Sequence, residues 1–160
     1  MDVVVQEKVT GCGIAAFAAL ADLSYAEAQM KASALGIHTS DASLWSDTEY
    51  VRTLLQESGI SVSPNETPFK SWEELPDKAL LAGKWHIEQG KPFWHWVLFV
   101  RENGKTKILD FKRALKSNVR VDFGRIKPNW YIEILNIQSV KLFADDDRRC
   151  TSVYSSLIRS

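Results

Sequence analysis

At 160 residues, 45% hydrophobic and 25% charged, the chain fits a single soluble domain large enough for its own core. No apolar stretch reaches the length of a membrane span, and Met-Asp-Val-Val-Val at the start lacks the features of a secretory signal. A cytoplasmic protein is therefore expected, or an effector secreted or delivered without a visible signal peptide. Two cysteines, Cys12 and Cys150, are too few for a disulfide framework. The net charge is zero but uneven. Residues 1–80 carry five basic against twelve acidic side chains, whereas Arg101, Lys105, Lys107, Lys112, Arg113, Lys116, Arg120 and Arg125 crowd one later stretch. That stretch reads as a solvated surface or as a track for an anionic partner such as nucleic acid, the less favoured of the two.

In chain order, helices come first. Gly11–Asp22 is rich in Ala and Leu. Ser24-Tyr-Ala-Glu27 fits a capping box, whose helix would stop at Gly36. Ser46-Asp-Thr-Glu49 repeats the pattern ahead of Tyr50, Val51, Leu54 and Leu55, with Gly59 as the stop. Residues 60–63 suggest a short strand and 64–68 a loop. Ser71-Trp-Glu-Glu74 suggests another helical turn, and 77–82 more helix after Pro76.

Beyond Gly83 the texture turns to strands: 84–88, the aromatic run 93–101, residues 105–111 and residues 130–137. Asn103-Gly104 is a strong hairpin signal. Residues 139–160 fit no element. Nothing divides the chain, so 1–160 reads as one α+β domain, with N-terminal helices packed on a C-terminal antiparallel sheet.

The hairpin yields geometry. With Asn103 and Gly104 as the two turn residues, Glu102 faces Lys105 and Val97 faces Asp110. Side chains alternate, so His95 shares a sheet face with Asp110, and the two are diagonal neighbours roughly 7–8 Å apart at the α-carbons. A carboxylate so placed fixes the tautomer of the ring and stabilises its protonated form. Cys12, at the start of a helix, is the nucleophile such a base would serve, because the helix dipole and an imidazolium both favour a thiolate. Gly11 and Gly13 would give a substrate backbone clearance. The Cys12 amide is a free helix-end donor for an oxyanion, and Gln6 can supply a second donor. Each residue has an ordinary alternative: Cys12 as a core residue, His95 as a satisfied ring, Asp110 as a strand end and Gln6 as an exposed edge. Their order and spacing together favour the catalytic reading.

Gln6, then Cys12 six residues on at a helix start, then strand His95 and Asp110, resembles the papain-like cysteine peptidase superfamily. "TGCGIAAFAALADLSYAEA" with "HWVLFVRENGKTKILDF" is more closely similar to its compact bacterial branch, the bacteriocin-leader-processing (double-glycine) peptidases and their stand-alone relatives. The similarity runs from residue 1 to about residue 112. It implies a papain-like fold, Cys12 as nucleophile, His95 as general base and acid, Asp110 as its orienter and Gln6 in the oxyanion hole. Phe111 stands where that branch commonly has proline.

The function expected is a cysteine hydrolase cleaving a peptide or amide bond in a peptide or protein substrate. The same parts serve deamidases and acyl-transferases. An RNA-acting papain-fold bacterial toxin or effector, partnered by an immunity protein or inhibitor, is the alternative of another class, and a non-catalytic binding module a third. No metal-ligand spacing and no phosphate-cradling loop is evident, so neither a metal nor another cofactor is expected.

Overall fold

The computed structural model describes residues 1, 4, 11–112 and 118–137, so Gln6, Arg113, Lys116, Cys150 and residues 139–160 lie outside the described residues. Helix α1 (Cys12–Ala21) has every residue from Cys12 to Leu20 buried, so it runs through the interior and has no solvent face. It ends where Asp22 turns left-handed at φ 59°. Helix α2 (Tyr25–Ala34) opens on the expected capping box: the Glu27 amide donates to Ser24 Oγ at 3.1 Å, and the Ser24 amide to Glu27 Oε1 at 3.0 Å. Helix α3 (Glu49–Glu57) packs Tyr50, Val51, Leu54 and Leu55 inward. Its start differs from expectation. Ser46 belongs to a preceding 3-10 turn (Ala42–Ser46), and Asp47 Oδ1, at 2.9 Å, takes the amide of Glu49.

Seven strands follow: β1 (Ile60–Val62), β2 (Thr67–Pro68), β3 (Lys78–Glu88), β4 (Lys91–Glu102), β5 (Lys105–Asp110), β6 (Val119–Arg120) and β7 (Trp130–Ile137). They form an antiparallel sheet ordered β1-β7-β3-β4-β5-β6, with β2 paired to β7. Helices followed by an antiparallel sheet make the chain α+β.

One expected helix is a strand. Residues 77–82, with Leu and Ala, carry helical propensity, yet Lys78–Ala82 enter the middle of the sheet, paired with β4 on one side and, over Ala79–Leu81, with β7 on the other. Ala79, Leu80, Leu81 and Ala82 are fully buried there, and tertiary packing overrides propensity. Residues 84–88 continue the same strand past a bulge between Gly83 and His86. Around Ser71 there is no helix. Ser71 Oγ accepts from the Glu74 amide at 3.3 Å in an isolated turn.

The β4–β5 hairpin has the expected register, from Glu102 opposite Lys105 to Val97 opposite Asp110. Asn103 and Gly104 both have positive φ, 53° and 75°, as the tight turn requires. Alternation then divides the core. Leu80, Trp96, Leu98, Val100 and Leu109 face the helices, while Leu81, Val97, Phe99 and Ile108 pack on the other side with Leu75 and Ile126. With both faces covered, the central strands are held against slippage, and this fixes what stands beside His95.

Candidate active site

The site is assembled from the first residue of α1 and from adjacent strands β4, β5 and β6. Cys12 is a free thiol, 5% exposed, at the head of α1. Its N-cap, Gly11, has no side chain to occupy the first-turn amides, and the turn closes through the Ala15 amide on the Gly11 carbonyl at 2.9 Å.

Gly13 does different work from that expected. A β-carbon there would stand 2.6 Å from Tyr50 Cζ and 2.8 Å from Val51 Cγ2, and closer still to the Tyr50 hydroxyl. The missing side chain makes room for α3 to seat against α1, so its clearance is filled by protein and not by substrate. The buried Tyr50 hydroxyl lies by the Gly13 amide and the Trp96 indole without a well-formed hydrogen bond. Burial, reinforced by the nearby Cys12 charge, pushes its pKa well up and keeps the phenol neutral.

His95, on β4, pairs with Gly83 of β3 and lies two residues beyond Val97, where the β4–β5 pairing ends. Its ring is 18% exposed, and Nε2 lies 2.7 Å from Asp110 Oδ1. Cys12 stands close enough to the ring to favour its protonated form, and Nδ1 is the nitrogen that the contact with Asp110 leaves free. Burial opposes charge on the imidazole. The hydrogen bond and charge of Asp110 and the proximity and charge of Cys12 together outweigh it, and the His95 pKa is pushed up to about 9.

Asp110 is 1% exposed. Oδ1 also accepts from the Lys112 amide at 3.2 Å, and Oδ2 accepts from Arg120 Nη1 at 2.8 Å. Burial alone would raise its pKa. The hydrogen bond and charge of His95, followed by Arg120, hold the carboxyl down at about 2. Asn118 pins the backbone here: its Nδ2 donates to the carbonyls of Asp110 at 2.7 Å and Lys112 at 2.9 Å.

Sequence reasoning thus brought together Cys12, His95 and Asp110, and it missed Arg120 and Asn118. Arg120 was visible only as one charge in a basic stretch. That stretch is not a uniform track: Arg101 binds the carbonyls of Leu75 and Trp72 and the carboxylate of Asp77, and Arg120 is committed to Asp110 and Asp122. Trp94, Trp96 and Trp130 stack edge-on against one another, as packing residues do. Elsewhere His86 is an exposed ring between the Lys84 carbonyl and Glu88. Among the described residues no cluster of His, Cys, Asp and Glu could hold a metal ion, and no helix is long and apolar enough to cross a membrane. The sequence matches no protein-family model and no curated protein.

Proposed function

We propose that this protein is a papain-like thiol hydrolase that cleaves a peptide or amide bond. The observation that carries the reading is His95 held by a buried Asp110 through Nε2, with Nδ1 left free and Cys12 close enough to favour the imidazolium. In the proposed reaction the Cys12 thiolate, paired with protonated His95, attacks the carbonyl carbon through Sγ and forms a tetrahedral oxyanion. The Cys12 amide and Gln6, the latter assigned through the family resemblance, stabilise that oxygen. His95 then protonates the leaving amine as the C–N bond breaks. Water, deprotonated by His95, attacks the thioester and returns the thiol and a carboxylic acid. Asp110 stays ionised throughout and holds the ring in register.

Arg101 and Arg120 are both occupied by protein groups, which weakens the reading of their stretch as a nucleic-acid track. A panel of electrophilic probes for cysteine hydrolases tests the proposal. Labelling at Cys12 in wild type, abolished in Cys12→Ala and strongly slowed in His95→Ala, is the expected result. Equal labelling of wild type and His95→Ala would contradict it.

A further inference from the structure

Asp110 holds two cations, and only one of them belongs to the proposed reaction. Arg120 reaches Oδ2 with Nη1 at 2.8 Å, while its Nε and Nη2 grip Asp122 at 2.8 and 2.6 Å. The planar guanidinium is thereby held at three of its nitrogens by two carboxylates, and it cannot turn without losing a contact. A carboxylate pinned at Oδ2 cannot rotate about its own axis to exchange its oxygens. Oδ1 is therefore kept where Nε2 of His95 meets it, 2.7 Å away. Arg120 is 14% exposed and comes from β6, which pairs with the far edge of β5, so the grip is made from the side away from His95.

We propose that Arg120 is a positioning residue: it fixes the Asp110 carboxylate so that His95 keeps Nε2 on Asp110 and its other nitrogen free for Cys12. The inference rests on the hydrolase reading for its use in catalysis, but its geometry does not. The charged and titratable groups involved are Cys12 on α1, Asp110 on β5, Arg120 on β6, and Asp122, which faces both Arg120 and Arg125.

The test follows the His95 ring by two-dimensional NMR across a pH titration, assigned by the signals lost in His95→Gln. In Arg120→Met the positioning role predicts that the His95 midpoint falls by at least about one pH unit, because a wandering carboxylate supports the imidazolium less well. Arg120→Lys, with a charge but no planar fork, should fall between Met and wild type. A midpoint that is unchanged means Arg120 only ties β6 to β5, and a midpoint that rises means it only competed with the imidazolium for the carboxylate. Either result overturns the proposal. Should Arg120→Met fail to fold, Asp122→Ala, which removes the outer grip at a 43% exposed side chain, carries the same test. It is expected to shift the midpoint in the same direction, and an unmoved midpoint overturns the proposal. The titration needs no substrate, so the two ideas fail separately: an unreactive wild-type Cys12 sinks the hydrolase and leaves the positioning result standing.

Discussion

His95 and Asp110 lie diagonally across the β4–β5 hairpin, with Val97 directly opposite Asp110, and their side chains meet at 2.7 Å. The contact joins a ring with a raised pKa to a carboxyl with a lowered one, so each favours the charged form of the other. The pair is a source of stability as well as the base of the proposed reaction.

That stability depends on pH in a definite direction. The folded state raises His95 from 6.5 to about 9, so its contribution is complete below about 6.5 and disappears as pH rises through 9. The shift corresponds to about 3 kcal/mol. Asp110, lowered from 3.8 to about 2, gives stability present above 3.8 and lost as pH falls through 2. The two shifts share the His95–Asp110 contact, with Cys12 adding to the first and Arg120 to the second, and they are not added. Urea unfolding of wild type and His95→Gln at several pH values should show a difference that is largest between about 3.8 and 6.5 and closes above 9.

Asp110→Asn keeps the shape of the side chain and removes its charge, leaving Arg120 and a protonated His95 without their shared carboxylate. We expect a loss of about 3 kcal/mol in urea unfolding at pH 6. Turnover of any amide substrate should drop on the order of 10²- to 10⁴-fold. A variant with full stability and full activity would contradict this role.

Gly13→Ala separates packing from substrate clearance. Because Tyr50 and Val51 already fill the space, the new methyl should cost about 1–3 kcal/mol in thermal or urea unfolding. Adding Tyr50→Phe should recover only part of that, since the ring carbon and Val51 Cγ2 remain at 2.6 and 2.8 Å from the new atom. An unchanged stability with a raised KM would restore the substrate role.

Much of this was legible because it depends on local rules. The Asn103-Gly104 turn sets strand parity, and parity put His95 beside Asp110. Ser24 and Glu27 announced α2 through two reciprocal hydrogen bonds. What the sequence hid depends on tertiary neighbours. Residues 78–82 form a strand because β4 and β7 flank them, and nothing in their spacing says so. Gly13 looked like clearance for a ligand until Tyr50, 37 positions on, was seen in the gap. Arg120 follows Asp110 by ten residues, and only the β5–β6 pairing brings the two side chains together.

Gly104 tests the turn that sets this parity. At φ 75° with nothing within 4 Å of an added β-carbon, Gly104→Ala meets no obstacle but pays the left-handed backbone cost. We expect about 1 kcal/mol of destabilisation with the His95 titration unaltered, measured by urea unfolding and NMR.

The central claim is that Cys12 is a nucleophile activated by His95. Its most direct measure is the rate of Cys12 alkylation by iodoacetamide at pH 6, followed by mass spectrometry in wild type and His95→Ala. The account predicts that wild type reacts at least tenfold faster than a free cysteine peptide, and that His95→Ala falls to the peptide's rate or below. Wild-type alkylation no faster than the peptide, or unchanged by His95→Ala, would contradict it.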